Sequence, residues 1–261
     1  MDHASHPDGL RDTSFVPTDT RTTLRRDLAA EAAVAVDKLR SAPPRLHALM
    51  PSVSQPLGAN VAAALGIDVS MTGDPDGVAA MAPSSDAVLV NLGMLDSDRA
   101  AAARRVASLG VPFILDPVKV DRDPARLALA RELLAAGPAI VKGNRAEMAA
   151  LGKRVDLPSI AVTTGERDVV EGGGRRVEVL NGTPLLDRVI ATGCATGLLV
   201  AALFGATGNA FVSGVAGVAM MGIAGERAAS SAEGPGTFAA RLIDALWALD
   251  GRAVTTSIRL A

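Results

Sequence analysis

The residues of this chain that could do chemistry fall in four short stretches. KGNRAE (142–147) gathers Lys142, Asn144 and Glu147. DPVKVDRD (116–123) opens on Asp116, TTGE (163–166) carries Thr164, and ATGCATG (191–197) holds Cys194, the only cysteine of the chain. Two carboxylates, a carboxamide and an ammonium suit a magnesium-bound polyphosphate, because carboxylates hold the ion's water shell and an ammonium meets phosphate oxygens. Asn144 with Glu147 three positions later is equally the pattern of a helix capping box. Thr164-Gly165 fits either a hydroxyl on a nucleotide or a serine/threonine turn.

Cys194 directly follows Gly193 in the first turn of an apolar helix that continues through Leu203. Unpaired backbone N–H groups and the positive end of the helix dipole converge at such a place. It binds anions and favours thiolate over thiol, which fits Cys194 as a base or an anion-contacting group. A lone cysteine also packs as a small hydrophobe, and spacing alone leaves both readings open.

The elements that must position these residues alternate along the chain. Residues 23–40 place Leu24, Leu28, Ala32, Val36 and Leu39 on one stripe, predicting an amphipathic helix that ends before Pro43-Pro44. A helix between Pro56 and Gly66 follows, then a first strand at 86–93. A helix capped by Asp96 or Ser97 and stopped at Gly110 leads to a strand at 111–118. A helix closed by Gly137 leads to a strand at 138–144. Further strands at 159–166 and 175–182, the second alternating like an edge, precede apolar helices and a closing helix at 236–249. Strands apolar on both faces imply a mostly parallel sheet covered on both sides, a three-layer α/β/α architecture without internal repeats. In such sheets ligands sit beyond the carboxyl ends of the strands, which selects NLG (91–93), DPVKVDRD, KGNRAE and TTGE, with ATGC opening the following helix.

Composition narrows the partners. The 26 basic and 28 acidic residues nearly cancel, without long runs of like charge, which argues against nucleic acid and anionic membranes and for a small ligand. A single cysteine excludes a disulfide framework or a multi-cysteine zinc site. The opening MDHASHPDGLRDTSFVPTDTRTT lacks the apolar stretch of a signal peptide. The expectation is a cytoplasmic protein with a disordered extension over 1–22 and one domain over 23–261. From Gly193 to Gly225 the only ionisable side chain is Cys194, a length compatible with a membrane span. The break at GATGN (205–209), the Gly/Ala richness and the lack of an aromatic belt predict instead two short buried helices joined by a turn.

NLGMLD, ILDPV, KGNRAEMAAL, VTTGERD, NGTPLL, ATGC and GPGTF follow one another in an order and spacing that resembles the hydroxyethylthiazole kinases, the thiamin-salvage branch of the ribokinase-like superfamily. The resemblance runs from about His47 to about Leu246. It implies transfer of the γ-phosphate of ATP, with magnesium, to the alcohol of 4-methyl-5-(2-hydroxyethyl)thiazole, in a homotrimer whose thiazole pockets lie between subunits. It makes Cys194 the base, with the amides around Ala191 to Gly193 as an anion hole. Ala191 and Met71 fall at the substrate, Lys142, Thr164, Asn144 and Gly193 at ATP, and Asp116 and Glu147, with Asn144, at the metal.

Three departures stand out. DPVKVDRD replaces a glycine-rich loop beside the phosphates, putting Asp121 and Asp123 where they would repel phosphate unless Lys119 and Arg122 compensate. HALMPSVSQPLGAN puts Pro51 and Pro56 where the family has carboxamides facing the thiazole, and Ala191 replaces a glycine, a mild change if only its amide is used. Glu147 and Glu166 lie 19 positions apart, too close for a further helix that the family places between them. Three functions are therefore compatible with the sequence: the thiazole kinase, a kinase of another small alcohol, or a non-catalytic binding protein of the same fold.

Overall fold

The computed structural model describes residues 18–152 and 159–261. Its elements in chain order are α1 (Thr18–Ser41), β1 (Arg45–Leu49), α2 (Gln55–Leu65), β2 (Asp68–Ser70), α3 (Pro75–Met81), β3 (Ala87–Asn91), α4 (Ser97–Ser108), β4 (Phe113–Asp116) and α5 (Pro124–Ala135). There follow β5 (Ile140–Asn144), α6 (Arg145–Leu151), β6 (Ile160–Thr164), β7 (Asp168–Gly172), β8 (Arg175–Val179), α7 (Thr192–Thr207), α8 (Ala210–Ala229), α9 (Pro235–Trp247) and α10 (Gly251–Ser257). The strands form one sheet in the order β2-β1-β3-β4-β5-β6-β7-β8. Pairings from β2 through β6 are parallel, and β7 and β8 add an antiparallel hairpin.

Alternation along each strand builds two cores. Ala87, Leu89, Ile114 and Ile140 face α1, α2 and α7 to α9, whereas Val88, Val90, Leu115 and Val141 face α4 and α5. This is the expected three-layer α/β/α arrangement. Helices start and stop where local chemistry dictates. Asp96, not Ser97, caps α4 by accepting from the Arg99 N–H, Pro56 lies in the first turn of α2, and Gly66 closes that helix at φ +74°.

Several expectations change. Helix α1 begins at Thr18, inside the stretch expected to be disordered; residues 1–17 lie outside the described residues. Leu24 is 60% exposed although the stripe placed it on the buried face, because the first turns of α1 extend beyond the core. The strand expected first is the third: β1 and the three-residue β2 precede it. The edge strand at 175–179 is preceded by β7, and its outer edge is covered by the chain's last residues, where Val179 bridges Leu260.

The apolar stretch forms two helices, α7 and α8, packed side by side with most residues buried. Gly217 lets them touch: a Cβ there would lie 2.5 Å from Val200 Cγ2 and 3.1 Å from its backbone nitrogen. The Gly/Ala content thus serves close helix packing. Among the described residues no helix is long and apolar enough to cross a membrane.

Candidate active site

Strands β5 and β6 end side by side, with Asn144 in register with Thr164. Beyond them a cleft of about 550 Å³ opens against the β8–α7 connection and α8, with Asn144, Thr164, Asn181, Thr192 and Gly193 in its lining. Three of the four residues expected at the nucleotide, Asn144, Thr164 and Gly193, therefore share one cavity. The Thr164 hydroxyl donates to the Gly143 carbonyl at 3.4 Å, across strands, while Asp168 closes the turn by accepting from the Gly165 N–H at 2.9 Å. The serine/threonine turn is not what forms here. Burial raises the Asp168 carboxyl to about 6, against the Gly165 hydrogen bond and the nearby Lys142 charge.

Lys142, the fourth, lies beneath the cleft rather than in its lining. Its ammonium is buried, donating to the Gly193 carbonyl at 2.8 Å and facing Asp116 Oδ2 at 3.4 Å. Burial works against that charge, but Asp116, Cys194 and Glu147 outweigh it and hold Lys142 above its usual range. Asp116 is fully buried, and this lifts it to about 6 even though Lys142 and the Asn91 carboxamide, which donates at 2.9 Å, pull it down. Gly197 admits the carboxylate beneath α7, since a Cβ there would stand 3.1 Å from Asp116 Oδ2.

Asn144 and Glu147 do form the capping box. The Asn144 carboxamide oxygen accepts from the Glu147 N–H at 3.0 Å, and Glu147 Oε2 accepts from the Asn144 N–H at 2.8 Å. The other Glu147 oxygen accepts from the Lys119 N–H at 2.8 Å. The cap therefore does more than start a helix, because it ties the turn after β4 to the end of β5. The acids of that turn are also engaged. Asp123 caps α5 and meets Arg126 at 3.1 Å, and Asp121 meets Arg122 at 3.2 Å, so the expected repulsion of phosphate is internally offset.

Cys194 is half-buried one residue after the cleft-lining Gly193, with the polar side chains of Ser54 and Asn91 near its thiol. Burial and the negative charge of Asp116 push that thiol up, against those two neighbours and Lys142. The thiolate expected from the helix dipole is thus not the resting form: a dipole acting through one turn loses to desolvation and a carboxylate. Ala191 caps α7 at φ +75° with no side-chain cap bond, a left-handed conformation that favours glycine. The replacement of glycine is therefore strained rather than mild. Lys119 is a second non-glycine residue in that region, at φ +59°. Met71 lies away from the cleft, after β2, where Gly58 makes room for it: a Cβ on Gly58 would be 3.5 Å from Met71 Cε and 2.8 Å from Met50 Sδ.

Reasoning from sequence missed Ser54 and Arg99, and it selected NLG without giving Asn91 a role. The Arg99 guanidinium donates to the carbonyls of Leu49, Met50 and Asn91, tying together the ends of β1 and β3, where the strand order reverses. Asn91, at the carboxyl end of a strand in NLG, had a usable signal. Ser54 and Arg99 lie in turns and helices where nothing local marks them. The loop closing the cleft begins the NGTPLL stretch, to which the sequence reading gave no role of its own. Asn181 and Gly182 are held by Glu226, the Ser257 carbonyl and Arg259.

A family model described as the hydroxyethylthiazole kinase family matches residues 36–157 and 154–252. A probable hydroxyethylthiazole kinase of Agrobacterium fabrum is 37% identical over 237 residues, covering 89% of this chain and 95% of that protein. The structure of a hydroxyethylthiazole kinase protein from Pyrococcus horikoshii superposes with a TM-score of 0.83 at 28% identity, covering 88% of this chain and 98% of the other. A ribokinase-like superfamily protein from Enterococcus faecalis shares the fold at a TM-score of 0.61 and 12% identity, covering 85% of this chain and 93% of that one. With the matched segments spanning all the stretches described above, this chain belongs to the hydroxyethylthiazole kinase family.

Proposed function

We propose that this chain is an ATP-dependent kinase that phosphorylates the primary alcohol of 4-methyl-5-(2-hydroxyethyl)thiazole in thiamin salvage, in the cytoplasm. The observation that carries this reading is that the first turn of α7 borders the cleft on one side and the Ser54 and Asn91 side chains on the other. Gly193 lines the cleft fitted for a nucleotide, and the next residue, Cys194, faces Ser54 and Asn91 on the other side. An alcohol beside Cys194 attacks the γ-phosphate in line, with the uncapped amides of the first turn of α7 facing the charge that develops.

Phosphoryl transfer through a loose transition state rests on positioning and charge more than on a strong base. A neutral Cys194 thiol then serves by orienting the hydroxyl. Burial, with the negative charge of Glu147 added to it, raises the Asp116 carboxyl, and a bound cation would relieve that repulsion. The two carboxylates would hold Mg²⁺ through its water shell, and the ion would supply neutralisation of phosphate charge. The acceptor side is completed by neighbouring copies in a homotrimer. Val53, Met94 and Ile190, all more than half exposed, offer apolar side chains for such a contact, and Ser52 brings Val53 and Met94 together through its contact with Met94 Sδ.

A kinase of a more apolar alcohol is the second reading. It is favoured by Met50, Met71 and Pro51 crowding the segment after β1, where a Cβ on Gly93 would lie 2.9 Å from Pro51 Cγ. Turnover of ATP with the thiazole alcohol, compared between wild type and Cys194→Ala, tests the leading reading. The expected loss is about tenfold in kcat, below the 10²–10⁴ of full base catalysis. Equal rates would remove Cys194 from the mechanism. No turnover, with melting raised by ATP and by another alcohol, would favour the second reading.

A further inference from the structure

We infer that Lys119 supplies the positive charge that holds the triphosphate in this chain, a task that its backbone position permits and that the buried Lys142 cannot perform. The inference rests on reading the 550 Å³ cleft as the nucleotide site. That cleft carries Glu166, Asp168 and Asp187 in its lining and no lysine or arginine. A triphosphate brought there needs cationic partners besides magnesium.

Lys142 is not one of them. Its ammonium is committed to Asp116 and to the Gly193 carbonyl, and only 4% of the residue is exposed.

Lys119 is exposed, and among the described residues its ammonium forms no ion pair. Its backbone stands at the edge of the cleft. The Lys119 and Asn144 N–H groups donate to the two oxygens of one carboxylate, Glu147, each at 2.8 Å, so the width of a carboxylate separates Lys119 from a cleft-lining residue. The nearby acids do not neutralise it, because Asp121 meets Arg122 and Asp123 meets Arg126. Lys119 also holds φ at +59°, where a residue with a Cβ is strained and glycine is not. A lysine that occupies a glycine conformation on the rim of an acidic cleft gives up stability that its side chain must repay through function.

The test separates charge from backbone. Lys119→Gly relieves the strain while removing the ammonium. Its melting temperature is expected to rise by roughly 2–4 °C, while KM and Kd for MgATP rise about tenfold and adenosine binding is unchanged. Lys119→Arg is expected to keep MgATP affinity within about threefold of wild type, whereas Arg145→Ala and Arg188→Ala leave it within about twofold. A Lys119→Gly protein that binds MgATP as wild type does, or an affinity loss that follows Arg145 or Arg188 instead, overturns the inference alone. A wild type that binds neither ATP nor ADP overturns the nucleotide reading and this inference with it.

Discussion

The ammonium of Lys142 lies 2.8 Å from the Gly193 carbonyl oxygen and 3.4 Å from Asp116 Oδ2, joining the sheet to the mouth of α7 through one buried charge. Removing one partner of such a pair leaves the other charge uncompensated. Lys142→Met is therefore expected to destabilise the fold by about 3–5 kcal/mol, and Lys142→Met with Asp116→Asn to recover most of that loss. Urea unfolding of the two singles and the double measures the coupling. Additive losses would show that the pair does not act as a unit.

Ala191 precedes the same helix turn at φ +75°. A left-handed conformation costs a residue with a Cβ about 1–2 kcal/mol, partly offset because glycine gains freedom in the unfolded chain. Ala191→Gly is expected to stabilise by about 1 kcal/mol and raise the melting temperature by roughly 2–4 °C. Differential scanning calorimetry reads this directly, and a lower melting temperature would refute the strain.

Asp168 links the cleft to pH. Its folded value of about 6 stands above its usual 3.8, so the folded chain holds this proton more tightly than the unfolded one. The stability this provides is fully present below about pH 3.8 and is lost as pH rises through 6. Asp168→Asn keeps an acceptor for the Gly165 N–H and removes the titration. Relative to wild type it is expected to gain about 2–3 kcal/mol between pH 4 and 7 and nothing below pH 4. Denaturant unfolding across that range checks the sign, and a constant difference would contradict it.

The loop closing the cleft depends on the chain's last residues. Arg259 meets both oxygens of Glu226, which accepts in turn from the Gly182 N–H, while Asn181 Oδ1 accepts from the Arg259 N–H at 2.8 Å. The exposed ion pair itself contributes no more than about 1 kcal/mol to global stability. Arg259→Ala is therefore expected to leave the melting temperature within a few degrees, yet to speed amide exchange at Gly182 and raise KM for ATP severalfold with an unchanged KM for the alcohol. Equal loss in both KM values would place the effect elsewhere.

Signals carried within one helix turn or one strand were legible without the fold. Gly66, Asp96 and Gly137 mark helix ends because capping and left-handed stops need only neighbouring residues. The runs at 113–116 and 140–144 announce buried parallel strands by being apolar on both faces. By contrast β2, three residues long, and β7, DVVEG, exist because neighbours supply their hydrogen bonds.

The site divides in the same way. By itself the sequence determined the family, the sheet ends at which Asn144, Thr164 and Gly193 meet, and the capping box of Asn144 and Glu147, since register and local spacing follow from residue order. Tertiary structure alone decided that Lys142 is buried against Asp116 while the Lys119 ammonium forms no ion pair among the described residues, that the Cys194 thiol is pushed up, and that Ala191 and Lys119 hold glycine conformations. The reason is physical. Desolvation, ion pairing and backbone strain depend on which distant groups surround an atom, and two lysines differ in them only once the chain has packed.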